Sequence, residues 1–392
     1  MTISALMSQK PLSANDILVA RGLRIVAPTQ VNPNISEPFG TPAPPNVDHN
    51  SHATTLIIGE AFAIFFIALF TLARLFVRKW RTYFWGPDDW VIIPGALGGI
   101  TYLALDIVTQ TRGCLGKHIW NCTYDEVAWF IYIGQIQEPM FYFTVFSVKL
   151  SIALANQRLT GLASKRWQYI HRAFIGTFLC LLPITTFLNM FQCLPVPAGY
   201  SLWYVGGIAD PASTIHCLNR TGISYGTRIL HILTDVALLC VPIVIVLRLQ
   251  MPRIKKYRLV AVFAIGGTST LASIVRNVFV HKALGDFTYQ GYIIWCFDIV
   301  DITFAVVVAS LPALNGLVES ALQRLGTFRS SKFLEGASSG TSSAWRRPRR
   351  VGSEAHLARH AGSAELVDEE WRSESSHSKA FRVEQPTELT AY

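Results

Sequence analysis

Residues 55–77 have the sequence TLIIGEAFAIFFIALFTLARLFV, in which Glu60 and Arg74 are the only charged side chains. A hydrocarbon core of about 30 Å requires ~20 mostly apolar residues in a helix that rises 1.5 Å per residue. Six further segments meet this requirement: 90–109, 127–155, 173–192, 224–247, 259–280 and 292–318. Because a single span surrounded by lipid satisfies its backbone hydrogen bonds only as a helix, the sequence predicts an all-α bundle of seven transmembrane helices.

The composition agrees with a membrane protein. Hydrophobic residues make up 51% of the chain and charged residues 15%, whereas soluble domains are about 25% charged. The formal net charge is +9, but the basic residues lie between the apolar segments instead of forming one patch. We therefore interpret them as topology signals, with the lipid bilayer and not nucleic acid as the partner.

The basic residues are concentrated in alternate loops, which predicts the orientation of the chain. One set of loops contains Arg78, Lys79, Arg81, Arg158, Lys165, Arg166, Arg172, Arg248, Arg253, Lys255, Lys256 and Arg258; the other set contains Arg112, Lys117, Arg220 and Lys282. The first set is predicted to be cytosolic. This places the N-terminus outside and the C-terminus in the cytosol, in a multi-pass protein for which the plasma membrane is favoured over endomembranes.

Three regions follow from this topology. Residues 1–54 contain no cleavable signal and, being rich in Pro and Asn between 32 and 50, are predicted to be a flexible outer tail. Residues 55–319 form the membrane domain. Residues 320–392 are rich in Ser, carry one basic and one acidic run, and are predicted to be a disordered cytosolic tail. The basic loops and this tail offer a surface for a cytosolic signalling partner.

The outer segments carry the sites expected of an oxidising, glycosylating compartment. The three Asn-x-Ser/Thr sequons begin at Asn34, Asn121 and Asn219. The four cysteines of the outer loops are Cys114, Cys122, Cys193 and Cys217. We expect bridges Cys193–Cys217 and Cys114–Cys122, the alternative being a bridge from Cys114 to Cys193 or Cys217.

Ionisable residues within the predicted spans cost roughly 2.5–3.5 kcal/mol each at the centre of the bilayer. They include Glu60, Asp106, Glu138, Arg228, His231, Asp235, Arg276, Asp298 and Asp301, with Lys149 placed deeper. Pairing between helices is one interpretation, and a ligand cavity is the other. Six acids exceed what two arginines can pair with, so we predict a polar cavity that opens outward. The predicted ligand-binding residues are Glu138, Asp235, Arg276, Asp298 and Asp301.

Within that cavity Arg276 and Asp298 are expected to form a pair between two helices. Asp298 and Asp301, three residues apart, can both face one partner. No catalytic residue, metal site or cofactor is predicted. A retinal pigment in particular would need a Schiff-base lysine in the last span, and residues 292–318 contain none.

Several short motifs occur in order along the chain. They are Asp88-Asp89-Trp90, Gly113-x-x-Gly116-Lys-His118-x-Trp120, Lys149-x-Ser151, Phe191-Gln-Cys193-x-Pro195 and Ser273-Ile-Val-Arg276. Together they resemble the fungal rhodopsin-domain integral membrane proteins, a group that includes appressorium-signalling receptor-like proteins and the membrane protein of the satratoxin cluster. The resemblance implies a fungal origin and a seven-helix fold without retinal.

Three functions are compatible with these observations. The first is a receptor-like protein, not an enzyme, that senses an external small molecule. The second is a membrane accessory or transporter component of a secondary-metabolite pathway, although the sequence shows no inverted repeat. The third is an intramembrane enzyme such as a terpene cyclase, with Glu138, Asp235 or Asp298 as general acid. A neighbouring polyketide or terpene synthase gene would favour the second function.

Overall fold

The computed structural model describes residues 4–26, 50–82, 85–160, 165–248, 253–280 and 287–336. Its long helices are α2 (Ala53–Val77), α3 (Pro87–Thr111), α4 (Tyr124–Thr160), α5 (Lys165–Met190), α8 (Arg220–Arg248), α9 (Arg253–Val280) and α11 (Tyr292–Gly336). Its short helices are α1 (Ala14–Val26), α6 (Leu202–Gly207), α7 (Pro211–Thr214) and α10 (Phe287–Gln290). Strands β1 (Cys193–Leu194) and β2 (His216–Cys217) pair antiparallel.

Among the described residues, six helices are long and apolar enough to cross a membrane. They span Ala53–Trp80, Pro87–Thr111, Tyr124–Arg158, Trp167–Met190, Arg220–Cys240 and Thr288–Leu314. The all-α membrane bundle is thereby confirmed. Helix α9 covers the predicted segment 259–280 but is not one of these six, so the count of seven spans and the orientation of the termini stay predictions.

The bundle core is formed by α2, α3, α4 and α11, with fully buried Ile67, Ile92, Phe146 and Ile302 among its members. Glycines let α3 approach α4 closely, since residues without a side chain allow two helix backbones to come together. A Cβ atom at Gly98 would lie only 2.7 Å from Thr144 Oγ1. The backbones of α3 and α4 therefore pack with little side-chain volume between them.

Two disulfides close the loops at one end of the bundle, which we call the disulfide end. Cys193 pairs with Cys217 across β1 and β2, and Cys114 pairs with Cys122. These are the expected bridges, and the alternative pairing is not adopted. Asn121 ends a 3₁₀ turn in the first of these loops, and Asn219 Oδ1 accepts a 3.0 Å hydrogen bond from Gly222 N at the start of α8. Glycosylation of either asparagine stays a prediction.

The N-terminal segment 4–26 is structured, in contrast to the predicted flexible tail. Leu6 pairs with Thr123, and Met7 N donates to Cys122 O at 2.8 Å. Helix α1 then crosses α6 so closely that a Cβ atom at Gly206 would lie 1.9 Å from Leu18 O. The prediction was wrong because contacts with the disulfide-bonded loop and with α6 order this segment. The composition of the segment alone gives no indication of these contacts. Residues 27–49, with Asn34, lie outside the described residues.

A buried ionic cluster lies at the opposite end of the bundle. Arg74 Nη2 is 2.7 Å from Asp88 Oδ2, and Arg74 Nε is 2.9 Å from Asp89 Oδ1. Arg158 also pairs with Asp88, and Arg74 donates to the carbonyl of Ala309. The cluster therefore joins α2, α3, α4 and α11, and it explains why two adjacent aspartates are tolerated with no exposed surface.

The chain divides into two compact units, Met1–Arg324 and Leu325–Tyr392. Apart from the C-terminal part of α11, the features described above belong to the first. In the second, the described residues are helical up to Gly336, past the predicted start of the tail at residue 320. Residues 337–392 lie outside the described residues.

Candidate functional site

A cavity of about 380 Å³ lies between α3, α4, α8, α9 and α11. This volume is within the range of small-molecule sites, roughly 300–1,000 Å³. Its lining is mainly aromatic and aliphatic with a few polar groups: Tyr102, Phe130, Ile131, Gly134, Gln135, Gln137, Glu138, Phe141, Tyr142, Arg228, Arg276, Ile294, Trp295 and Asp298. An apolar wall with convergent charges suits an amphipathic organic ligand.

One wall of the cavity is closed by the expected pair between α9 and α11. The Arg276 guanidinium contacts the Asp298 carboxylate, whose second oxygen accepts a 3.2 Å hydrogen bond from the Tyr102 hydroxyl. The guanidinium carbon also lies 4.5 Å from the ring centre of Phe141. The pair is thus held in position from α3 and α4 as well as from its own helices.

A second cavity of about 280 Å³ adjoins the first on the side of the disulfide end. Both cavities are lined by Gln135, Glu138 and Arg228. The second is also lined by Gln192, the neighbour of the disulfide cysteine at position 193, and by Arg220, whose Nε donates to Gln192 Oε1 at 3.2 Å. The shared lining residues place the two cavities side by side between the disulfide end and the Arg276–Asp298 pair.

Asp235 and Asp301 belong to a different cluster and do not line either cavity. The Lys149 ammonium lies 2.5 Å from His231 Nδ1 and 3.1 Å from Asp235 Oδ1. The other nitrogen of His231 lies 3.0 Å from Asp301 Oδ2. The structure therefore divides the five predicted residues, with Glu138, Arg276 and Asp298 at the cavity and Asp235 and Asp301 with the buried lysine.

Asp298 and Asp301 have different partners, although their spacing would let both face one. Asp298 contacts Arg276, whereas Asp301 Oδ2 accepts a 2.6 Å hydrogen bond from Ser273 and Asp301 Oδ1 accepts one from Ser269. Arg276 and Ser273 are themselves one turn apart on α9. Since α9 and α11 lie next to each other, each aspartate of α11 contacts the α9 side chain that lies at the same height along the helix axis.

His231, Asp235 and Asp301 are also a candidate metal-binding group, since one ligand atom of each lies within 4.8 Å of the others. However, the Lys149 ammonium contacts two of these residues directly and donates 2.8 Å hydrogen bonds to the His231 carbonyl and the Thr234 hydroxyl. The Lys149 ammonium therefore already supplies a cation beside Asp235. We interpret the group as an internal ionic network.

Several cavity residues were not identified from the sequence. Trp295 precedes Asp298 by three positions, and Gln135 precedes Glu138 by three, so helical spacing contained a signal for both. Arg228 was recognised as an ionisable residue of a span but was not assigned to the site. The other candidate residues lie on other helices, so the sequence spacing between them and Arg228 could not show that Arg228 lies beside them.

A third buried group joins α2, α3 and α4 near the disulfide end. Gln110 Nε2 donates to Glu60 Oε1, and Gln137 Nε2 donates to Asp106 Oδ1. Glu60 Oε2 and Gln110 Oε1 are buried without a hydrogen-bond partner among the described residues.

Comparison with known sequences gives two matches. Residues 73–320 match the profile of the fungal rhodopsin domain. A SAT4 family membrane protein of Emericella nidulans is 27% identical over 217 residues, which cover 55% of this chain and 52% of the relative. The chain thus spans about half the length of this curated relative. No solved structure matches.

Proposed function

The chain belongs to the fungal rhodopsin-domain family, and from that premise we propose that it is a receptor-like membrane protein. It binds a small molecule in the cavity between α3, α4, α8, α9 and α11. The disulfide end faces the outside, because disulfides form in oxidising compartments. The observation that carries the proposal is the 380 Å³ cavity itself, with its apolar lining and four charged side chains.

The cavity is placed where a ligand can act on helix packing. Arg276 and Asp298 join α9 to α11 at its wall, so a ligand group that competes for either one changes the energy of that contact. One turn further along the same two helices, Ser273 and Asp301 connect to the Lys149 network. Such a position is what a receptor requires, since a ligand shifts a conformational equilibrium only by its different affinity for the two states.

Helix α4 provides a continuous element between the two ends of the bundle. It carries Glu138 at the cavity, Lys149 in the buried network and Arg158 in the ionic cluster with Asp88. From Glu138 to Arg158 the helix rises about 30 Å. In the proposed mechanism, ligand binding shifts α9 and α11. The contacts that α4 makes through Glu138, Lys149 and Arg158 transmit this shift to the cytosolic end.

A cavity-filling substitution tests the proposal. Gly134 lines the cavity, and a Cβ atom there would have no atom within 4 Å. Gly134→Leu therefore fills the cavity without displacing backbone. Gly176 on α5 is equally open but lines neither cavity, so Gly176→Leu is the matched control.

The measurement is the unfolding temperature of the purified chain in nanodiscs, with and without the low-molecular-mass fraction of the fungal culture medium. A bound ligand stabilises the native state by mass action. We expect the fraction to raise the unfolding temperature of the wild type and of Gly176→Leu but not of Gly134→Leu. An equal rise in all three proteins, or no rise in the wild type, would contradict binding in this cavity.

A further inference from the structure

Arg228 differs from the other arginines in the interior of the bundle. Arg74, Arg158 and Arg276 each have a carboxylate partner within 4 Å. Among the described residues, Arg228 has neither an ion pair nor a hydrogen bond, although it lines both cavities. It lies about 12 Å along α8 from the helix start at Arg220. An unpaired guanidinium at this depth is costly unless water or an anion compensates its charge.

Neither nearby carboxylate forms an ion pair with Arg228 among the described residues. Asp298 contacts Arg276 and the Tyr102 hydroxyl. Glu138 accepts a 3.1 Å hydrogen bond from the neutral Ser224 hydroxyl, one turn before Arg228 on α8. In the described part of the chain, Arg228 is thus the charged residue of the cavity that has neither an ion pair nor a hydrogen bond, while Glu138 keeps acceptor capacity for a ligand hydroxyl.

The rest of the cavity determines what an anionic ligand must look like. Phe130, Phe141 and Trp295 form an aromatic wall, and Ile131 and Ile294 extend it. One free guanidinium beside a carboxylate suits a single negative charge and disfavours a dianion such as phosphate. A guanidinium also offers two parallel N–H groups, which match the two oxygens of a carboxylate.

We propose that the cavity takes an organic acid with a ring-containing apolar body, whose carboxylate is bound by Arg228. This inference rests on the proposed function, because it names the chemical class of the ligand for the same cavity. The apolar body packs against Phe130, Phe141 and Trp295. A hydroxyl group on the ligand donates to Glu138.

The test compares acids with their neutral amides. The full-length chain is placed in phosphatidylcholine nanodiscs, which contain no anionic lipid. Its unfolding temperature is measured while 1-naphthoate, 4-phenylbutyrate or cyclohexylacetate is titrated, and then with the three corresponding amides. At least one acid is expected to stabilise the wild type, with an apparent affinity roughly tenfold or more above that of its amide.

Variants locate the binding group. Arg228→Gln is expected to weaken acid binding roughly tenfold or more, and Arg228→Lys to retain part of it. Arg172→Gln is the control, because Arg172 is an exposed arginine of α5 that is not among the residues lining either cavity. It should leave acid binding unchanged. The acid–amide comparison in the wild type decides the question even if Arg228→Gln does not fold.

Each outcome has a distinct meaning. If an amide binds as well as its acid and Gly134→Leu abolishes both, the cavity binds small molecules but the proposed ligand class is wrong. Acid binding that survives in Arg228→Gln also overturns this inference alone. If no acid and no amide changes the stability of the wild type, this inference fails, whereas the proposed function is decided separately by the measurement with the culture-medium fraction.

Discussion

The Arg276 guanidinium lies against the Asp298 carboxylate, and this pair joins α9 to α11 at the wall of the cavity. Both side chains are almost fully buried. Buried pairs contribute little when both partners are present, but the loss of one partner leaves an uncompensated charge. The pair is therefore suited to hold two helices in register while remaining sensitive to a competing ligand group.

Removing one member of the pair should destabilise the protein strongly. We expect Arg276→Met to lower the free energy of unfolding by roughly 3–5 kcal/mol, because Asp298 would remain buried without its cation. The double variant Arg276→Met with Asp298→Leu should recover at least half of that loss. Thermal unfolding of the purified variants in nanodiscs measures both effects. A double variant no more stable than Arg276→Met would show that the pair is not the source of the effect.

The contact between α1 and α6 should depend on a single glycine. A Cβ atom at Gly206 would lie 1.9 Å from the Leu18 carbonyl oxygen, whereas one at the next residue, Gly207, meets no atom within 4 Å. Gly206→Ala is expected to cost roughly 1–3 kcal/mol and to displace α1. Amide hydrogen exchange in residues 14–26 should become faster in Gly206→Ala and stay unchanged in the control Gly207→Ala. Equal exchange in both variants would mean that α1 does not pack on α6.

A substitution at Glu60 should stabilise the bundle. Within the part of the chain that the structure describes, Glu60 Oε2 and Gln110 Oε1 are both buried without a hydrogen-bond partner. In Glu60→Gln the new amide nitrogen can donate to Gln110 Oε1, which completes a reciprocal pair of amides, so we expect a gain of about 1 kcal/mol. The gain should disappear in a Gln110→Ala background. A Glu60→Gln protein less stable than the wild type would indicate that the carboxylate has a partner essential to the fold.

The N-terminal segment should lose its order in acid because of Asp16. Burial alone would raise the pKa of this carboxyl, but hydrogen bonds from the Ser4 hydroxyl and from the Ser13 and Ala5 backbone hold its pKa below the usual 3.8. A carboxyl with a lower pKa in the folded state stabilises that state above its unfolded pKa, and this contribution is lost as the pH falls through the folded pKa.

Hydrogen exchange of residues 4–26 should therefore accelerate as the pH is lowered from about 7 to about 3, after correction for the intrinsic rate. In Asp16→Asn the segment should be less protected at neutral pH and should show a smaller change with pH. An identical pH profile in the two proteins would exclude Asp16 as the titrating group.

The sequence predicted the bundle because its signals are local. Uninterrupted apolar length determines a span such as 55–77 without reference to other residues. The loop cysteines were equally informative, since Cys193 and Cys217 are the loop ends nearest to two neighbouring helices. The order of residues 4–26 was not predicted, because it depends on contacts with residues 122–124 and with α6, far away along the chain.

The candidate site was predicted only in part for a related reason. The cost of a charge in lipid showed that Glu138, Arg276 and Asp298 face the protein interior, and the structure places all three at one cavity. The cost of a charge in lipid does not determine which buried group a charged side chain contacts. Asp301 was assigned to the cavity but contacts His231, because the rotation of each helix about its axis is determined by packing with its neighbours.

The proposed receptor function requires that a ligand can enter the cavity from outside the cell, which cysteine labelling measures. Gln135 lines both cavities, so Gln135→Cys is introduced after the free cysteines Cys180, Cys240 and Cys296 have been replaced by Ala. A membrane-impermeant maleimide is then added to intact cells. We predict that position 135 is labelled and that the low-molecular-mass fraction of the medium slows the labelling. Labelling that occurs only after the cells are permeabilised would contradict an outward-facing ligand cavity.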